Sequence, residues 1–361
     1  MFINQNKDYF YTKLAFQQAE INLGSTGPNP SVGCVIVKNN SVISVGRTSQ
    51  NGRPHAETNA LKKKLDYKNS DLYVTLEPCS HYGKTPPCIN KIITKKIKRV
   101  IFAINDIDPR SRNKAFKNLK KKKIIVKRFI NKKLAEIFYE SYFLKSKKKL
   151  PLVDAKLAIS KDNFTINKKK KWITNIKSRN IGNFLRSKYD CLLSTAETIN
   201  NDNSQLDCRI EGLEKKTPVL IILDRYFKIK KNLKLFKYIE RKIFIFTHSN
   251  NIVKENFFKN KGVKILKFNN SNDHDFDFKR IFYNIKMLGF SRVFVETGST
   301  FLSQLLKLKL IKNLYLFKSS NNLSTNGSNK TSLFYIKKNK LFKKNRVNIN
   351  LKEDSLYKIK L

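Results

Sequence analysis

Three side chains suited to a single metal ion constrain this chain more than any other feature in it. His55-Ala56-Glu57 is followed by Pro78-Cys79 and then by Cys88, so an imidazole, two thiols and a carboxylate must be drawn from three separate segments to one place. Zinc takes nitrogen and sulfur ligands in a tetrahedral arrangement, and a site with three protein ligands keeps its fourth position for water. His55, Cys79 and Cys88 supply that number. Glu57, two residues beyond His55 and near a helix start, can face the water without occupying the metal. Zinc brings the pKa of such a water toward neutrality, and a carboxylate beside it can carry the proton to a departing group, as general base and then general acid. The plain alternative has His55 capping or packing a helix and both cysteines as core thiols, the ordinary fate of isolated ones; the complete set in this order argues against it.

The pattern around these residues describes an α/β domain. Phe10, Leu14, Ala15, Phe16 and Ala19 recur at helical spacing over 8–23, and the Gly24-Ser25-Thr26-Gly27-Pro28 cluster ends that helix. Residues 32–37 and 42–45, separated by Lys38-Asn39-Asn40, read as a β-hairpin. Pro54 suits the first turn of a helix carrying His55, Glu57 and Leu61. A strand over 72–76 runs into Glu77-Pro78-Cys79, Pro86-Pro87 opens a helix with Cys88, Ile89, Ile92 and Ile93, and 99–104 is a further strand. Both thiols are thereby expected in first helical turns, where the positive dipole end favours the thiolate.

The chain has 361 residues, enough for two cores, and 40% of them are hydrophobic, too many for a disordered chain. It turns polar over 145–149, Pro151 follows, and the domain boundary is placed there, giving domains 1–147 and 151–361. Beyond it, strand-like runs at 153–159, 191–193, 219–223, 243–246 and 293–295 alternate with helical stretches, a second α/β domain; 319–332, rich in Ser and Asn, reads as a loop. There is no internal repeat. The N-terminal residues lack the charged and apolar regions of a secretory signal, and Lys or Asn interrupts every apolar run well short of the roughly 18 residues that span a bilayer. The five cysteines are odd in number and two are needed as thiolates, so a disulfide framework is not expected and a reducing, cytoplasmic setting is. Cys34, Cys191 and Cys208 match no metal spacing. The net charge of +48 fits either a nucleic-acid-binding surface or drift of solvated positions to Lys; lysine runs at 120–123, 147–149 and 168–171 are spread along the chain rather than gathered among aromatics, which favours drift.

His-x-Glu followed by Pro-Cys marks the zinc nucleobase deaminases. More specifically, the segment from Thr75 through Leu76-Glu77-Pro78-Cys79-Ser80-His81-Tyr82-Gly83-Lys84-Thr85-Pro86-Pro87 to Cys88 closely resembles the deaminase domain of the bifunctional riboflavin-biosynthesis enzymes. Eight residues, 80–87, separate the cysteines, where nucleic-acid deaminases have Cys-x-x-Cys, which argues against a polynucleotide substrate. The resemblance implies that this loop helps hold the substrate's ribose phosphate through Lys84 and Thr85, that Asn29 lines the pocket, and that His81 contacts substrate rather than metal. A turn between two prolines is the bland reading of Asn29. Where the family has a histidine seven positions before the ligand histidine, this chain has Thr48, whose hydroxyl is a candidate substitute in phosphate binding.

No Gly-x-Gly-x-x-Gly follows a strand in the second half, so composition and motif reach no further than an α/β domain there. The stretch from Lys156 through Leu157-Ala158-Ile159-Ser160-Lys161-Asp162 to Asn163 resembles the opening strand and turn of the family's reductase domain, with Asn163 in place of glycine, a residue that also tolerates a left-handed turn. Trp172-Ile173-Thr174, the segment from Thr198 to Arg209, and Glu296-Thr297-Gly298-Ser299-Thr300 resemble the family's later segments. By that resemblance Ala158, Trp172, Thr198, Asp202, Gly298, Ser299, Thr300, Phe301, Leu302, Ser303 and Gln304 bind the cofactor, and Arg186, Leu206, Arg209 and Glu296 bind substrate. For Trp172 core packing is the plain alternative. Ser204 replaces a proline, so a looser loop is expected. After Tyr315, and after Asp108-Pro109, the chain departs from the family pattern, and those regions are expected to affect packing more than chemistry.

The resemblance thus implies a cytidine-deaminase-like three-layer α/β/α domain followed by a dihydrofolate-reductase-like α/β domain. One zinc ion and NADPH are the implied cofactors. The implied reactions are hydrolytic deamination of a phosphoribosylated diaminopyrimidine and then reduction of its ribosyl group to ribityl, with Lys156 or Asp202 assisting proton delivery. Expected partners are this small phosphorylated pyrimidine and further copies of the chain, with no membrane and no nucleic acid. Two rivals remain: a tRNA base deaminase, motivated by charge, and a non-enzymatic zinc-containing RNA-binding scaffold. The long cysteine loop and second domain weigh against the first, Glu57 against the second.

Overall fold

Alternation of buried side chains along each strand sets the layers of the first unit. In the computed structural model, which describes residues 2–146, 150–237, 240–268, 278–331 and 345–361, the chain forms two units, Met1–Leu150 and Pro151–Leu361. Residues 147–149, where the sequence places the boundary, lie outside the described residues. The first unit opens with helix α1 (Phe2–Ile21) and the hairpin β1 (Gly33–Lys38) and β2 (Ser41–Arg47), whose turn residues Asn39 and Asn40 both take positive φ, as a two-residue hairpin requires. Helix α2 (Ala56–Ala60), strand β3 (Asp71–Val74), helix α3 (Cys88–Thr94), strand β4 (Arg99–Phe102), helix α4 (Lys114–Lys121), strand β5 (Ile125–Arg128) and helices α5 (Lys132–Phe138) and α6 (Glu140–Ser146) follow.

The sheet runs β2-β1-β3-β4-β5, with β3, β4 and β5 parallel and β1 antiparallel to both neighbours. Val35, Val37, Tyr73 and Ile101 pack on Tyr11 and Ala15 of α1, while Cys34, Ile36, Leu72, Val74, Val100 and Phe102 share a core with Ala56, Ala60, Ile89, Ile92 and Leu119. The period of two thus puts α1 on one face and α2, α3 and α4 on the other, the three layers expected. Two local expectations are corrected. Pro54 lies before α2, not in its first turn, and His55 is its N-cap. Cys79 sits in the loop after β3, and only Cys88 begins a helix.

The second unit contains β6 (Leu152–Ile159), β7 (Phe164–Asn167), α7 (Ile176–Arg186), β8 (Cys191–Thr195), α8 (Ala196–Asp202), β9 (Val219–Leu223), β10 (Ile243–Thr247), α9 (Ile252–Asn260), β11 (Lys264–Lys267), α10 (Phe278–Met287), β12 (Arg292–Glu296), α11 (Ser299–Lys307), β13 (Asn313–Lys318), β14 (Gly327–Lys330) and β15 (Ser355–Lys360). Its main sheet runs β11-β10-β9-β8-β12-β6-β13-β15, parallel except for the antiparallel edge strand β15. The central strands are buried on both faces, which is why they read as continuous apolar runs. The segment 319–331 is not all loop: β14 pairs with β7, and Ser332 lies outside the described residues. Asn163 takes φ +70°, the left-handed turn expected of it. Cys34, Cys191 and Cys208 are buried free thiols. Among the described residues no helix is long and apolar enough to cross a membrane.

Candidate active sites

Parallel β3 and β4 send their carboxyl ends to one rim of the first sheet, and antiparallel β1 begins at that rim. Residues 28–33, 48–57, 75–88 and 103–113 therefore meet where open α/β sheets bind their ligands. His55 Nδ1 lies 3.5 Å from Cys79 Sγ and 3.4 Å from Cys88 Sγ, and all three ligand atoms fall within 4.8 Å of one another. Tetrahedral zinc, with bonds of about 2.0–2.3 Å, holds neighbouring ligand atoms about 3.5–3.8 Å apart, so donor type and spacing both fit this ion. The backbone N–H of Cys88, at the start of α3, donates to Cys79 Sγ at 3.2 Å. The thiol of Cys88 and the His55 ring reinforce that bond, and Cys79 is held as thiolate at about 4. The bond the Cys88 thiol gives to that sulfur, and then burial, push the Cys88 thiol up.

Glu57, in the first turn of α2, is 3% exposed. Burial, and then the negative charge on Cys79, pushes its carboxyl up to about 7. His81 is not part of the metal cluster: its Nδ1 is bonded to Ser111 Oγ at 2.9 Å. Ser111, fully buried, thus ties the region after Asp108-Pro109, expected to affect packing more than chemistry, to a candidate substrate residue. Asn29 spends Nδ2 on Gly52 O at 3.0 Å, fixing the turn before His55. Lys84 is exposed, and Thr85 Oγ1 accepts from Arg53 Nη1 at 2.5 Å. Thr48 lies on this rim but is buried. It is 1% exposed and its hydroxyl accepts from Val32 N at 2.9 Å, so burial between β1 and β2 removes it from phosphate binding.

In the second unit the charges gather around Glu296 at the end of β12, from Lys156 of β6 and from Arg186 and Asp202 at the ends of α7 and α8. Arg186, the last residue of α7, forks onto Glu296 with bonds of 2.5 and 2.9 Å, and its other nitrogen donates to Asn183 Oδ1 and Asp207 O, each at 2.8 Å. Lys156 Nζ stands 4.0 Å from Glu296. Burial lowers the Lys156 ammonium and raises Asp202. Burial works upward on Glu296 as well, but Arg186 outweighs it and holds the carboxyl below its ordinary value. Leu206 is buried with φ +53°, and Arg209 extends to Asp207 with its side chain 54% exposed.

Thr198, early in α8, accepts at Oγ1 from Gly298 N at 3.2 Å. Gly298 caps α11 without a side-chain bond to the helix N–H groups, and a Cβ there would meet nothing nearer than Thr198 Oγ1 at 4.0 Å. Bare backbone at a helix start, where the first N–H groups have no acceptor within the helix, fits a cofactor phosphate. Helical spacing turns Ser299 and Leu302 inward, lays Phe301 on Phe278, bonds Ser303 back to Ser299 O, and exposes Thr300 and Gln304. Ala158 is partly buried beside Phe317. Trp172 is 48% exposed beneath Lys171 and Arg179, so core packing is not its role.

Sequence reasoning missed Arg53, Ser111 and Arg241. Arg241, just before β10, donates Nη1 to Leu206 O at 2.7 Å and Nη2 to Gln205 O, clasping the loop in which Ser204 replaces a proline. The loop expected to be looser is therefore tied down from outside.

A zinc-site deaminase unit followed by a reductase-type α/β unit defines a bifunctional deaminase–reductase. Residues 5–104 match the cytidine and deoxycytidylate deaminase zinc-binding region, and residues 151–320 match the RibD C-terminal domain, the NADPH-dependent reductase. The chain is 33% identical over 330 residues to riboflavin biosynthesis protein RibD of Buchnera aphidicola, covering 86% of each, and 33% identical over 313 residues to RibD of Aquifex aeolicus, again covering 86% of each. Among solved structures it is similar to Acinetobacter baumannii RibD (26% identity, TM-score 0.82, 99% of each chain covered). It is also similar to the diaminohydroxyphosphoribosylaminopyrimidine deaminase/5-amino-6-(5-phosphoribosylamino)uracil reductase of Thermotoga maritima (28% identity, TM-score 0.82, 99% of each). The chain belongs to the RibD family of riboflavin biosynthesis enzymes.

Proposed function

We propose that the chain deaminates 2,5-diamino-6-(5-phosphoribosylamino)pyrimidin-4-one in its first unit and, in its second, reduces the ribosyl group of the product to ribityl with NADPH. The observation that carries the reading is the convergence of His55, Cys79 and Cys88 beside buried Glu57. A structural zinc site needs no such acid.

Zinc held by His55, Cys79 and Cys88 supplies Lewis acidity toward water at neutral pH. Glu57 takes a proton from the water that adds to the ring carbon bearing the exocyclic amine, and returns it to the amine as the C–N bond breaks and ammonia leaves. Asn29 lines the pocket, His81 contacts the substrate, and Lys84 and Thr85 hold its ribose phosphate.

In the second unit NADPH supplies the hydride. Ala158, Trp172, Thr198, Asp202, Gly298 and residues 299–304 of α11 would hold the cofactor, the helix start offering backbone N–H groups suited to its phosphate. Arg186, Leu206, Arg209 and Glu296 orient the sugar phosphate, the guanidinium forks matching its oxygens. Lys156 or Asp202, both close enough to Glu296 to feel its charge, assists delivery of the proton that accompanies the hydride. The proposed domains are 1–147 for deamination and 151–361 for reduction; thiolate ligands favour a reducing, cytoplasmic setting, and assembly into a homo-oligomer accompanies this reading.

A coupled assay tests it: zinc-loaded protein should release ammonia from the diaminopyrimidine and then consume NADPH. Glu57→Gln should slow ammonia release by roughly 10²–10⁴-fold while NADPH consumption on the deaminated intermediate persists. Ammonia released from RNA and not from the small pyrimidine overturns the reading, and unchanged reduction in Lys156→Ala and Asp202→Ala removes their role as proton donors.

A further inference from the structure

Thr48 leaves a gap that a different residue fills. Its Oγ1 accepts from Val32 N at 2.9 Å and donates to Val32 O at 3.4 Å, and its carbonyl accepts from Asn22 Nδ2 at 2.8 Å. Buried to 1% exposure, it rivets the end of β2 to the start of β1 and has nothing left for a ligand.

From the structure we infer that Arg53 is a further cationic contact for the 5′-phosphate of the deaminase substrate, an assignment that rests on the proposed function. Arg53 reaches from the turn before His55 across to the loop 80–87, where Nη1 donates to Thr85 Oγ1 at 2.5 Å. Its Nη2 lies 3.7 Å from the point a Cβ on Gly83 would occupy, and His81 Nε2 lies 3.9 Å from the same point. His81 Nδ1 is engaged by Ser111, so Nε2 is the nitrogen left toward Gly83. The missing Cβ keeps that approach clear, and a guanidinium, an imidazole and the Thr85 hydroxyl surround it.

No carboxylate forms an ion pair with Arg53 among the described residues; its bonded partner is a neutral hydroxyl. A planar fork with one donor engaged and the rest free matches a phosphate's oxygens. The turn is also pre-set. Gly52 takes φ +89°, and a Cβ on it would fall 2.4 Å from Asn29 Nδ2, whose amide bonds to Gly52 O. Asn29 therefore acts as a positioning residue for Arg53, and little ordering entropy remains to be lost on binding.

The test compares deamination of the phosphorylated pyrimidine with that of its dephosphorylated riboside by zinc-loaded wild type, Arg53→Gln and Arg53→Lys. Arg53→Gln should raise KM for the phosphorylated substrate roughly tenfold or more, with kcat held and KM for the riboside within about twofold of wild type. Arg53→Lys should restore part of the loss, since it returns charge without the fork. Calorimetry with ribose 5-phosphate on the zinc-loaded chain should show the same ranking. Equal KM changes on both substrates, or none on either, overturn the assignment. A wild type that releases no ammonia from the phosphorylated pyrimidine refutes the parent reading instead, and the ribose 5-phosphate titration then decides Arg53 by itself.

Discussion

Adding one methyl group at Gly46 should disable the deaminase without touching the reductase. Gly46 sits in β2 opposite Cys34, beneath α2, where a Cβ would fall 2.2 Å from Ala56 O and 2.4 Å from Ala60 N. Those two atoms belong to successive turns of a helix only five residues long, Ala56–Ala60, so the helix cannot absorb the clash by bending and must move as a body. Restoring an ordinary contact requires about 1 Å of displacement, and overpacking of this kind costs about 1–3 kcal/mol. His55 caps that helix and Glu57 lies in its first turn. Metal bonds tolerate about 0.2 Å, and a misplacement of about 1 Å at reacting groups costs roughly 10²-fold in rate. Gly46→Ala should therefore lower zinc content and reduce ammonia release by about that factor, with NADPH oxidation on the deaminated intermediate as the internal control. Full zinc occupancy with wild-type ammonia release would refute the claim that the close approach of α2 to β2 positions the site.

The remaining expectations concern both units. Chelation, or Cys88→Ser, should abolish ammonia release while NADPH oxidation continues, since the metal ligands all lie in the first unit; parallel loss of both activities in a folded protein would contradict this. Glu296→Gln should destabilise the second unit by about 3–5 kcal/mol at neutral pH, because Arg186 stays buried without its counter-charge. Glu296 has a folded-state pKa below the ordinary value, so the pair's contribution is complete above about pH 4.3 and is lost as pH falls through the lower folded value; urea midpoints of wild type and variant should converge in acid, and a constant gap would refute the pairing. Arg241→Met should raise KM for the reductase substrate with little change in NADPH affinity, by freeing the carbonyls of Gln205 and Leu206; equal shifts in both would point to general loosening. Trp172→Ala, at a half-exposed position, should shift the urea midpoint by no more than about 0.5 kcal/mol equivalent while weakening NADPH binding, and unchanged binding would remove Trp172 from the cofactor site.

Local chemistry made the metal ligands and the central strands legible from the chain alone. His55, Glu57, Cys79 and Cys88 are residue types whose combination has few other uses, and β6, β8, β9, β10 and β12 are apolar because both of their faces are covered. Polar strands were less visible: β11, β14 and β15 carry Lys or Asn on exposed positions, β14 fell in a stretch that reads as loop, and β11 and β15 are absent from the strand-like runs. Arg53, Ser111 and Arg241 gain their roles only from partners 30 or more residues away, a hydroxyl, an imidazole and backbone carbonyls. Backbone acceptors leave no mark in a sequence, and a surface arginine among 75 basic residues carries no label. Thr48 shows the converse, since its position in the motif pointed to a ligand and its burial excludes one. Residue chemistry by itself settled which ion and which reaction class the chain supports; which side chains gather at the cysteine loop, Arg53 with Thr85 and His81, was decided by the fold, because that depends on how β2, the turn at Gly52 and that loop close on one another.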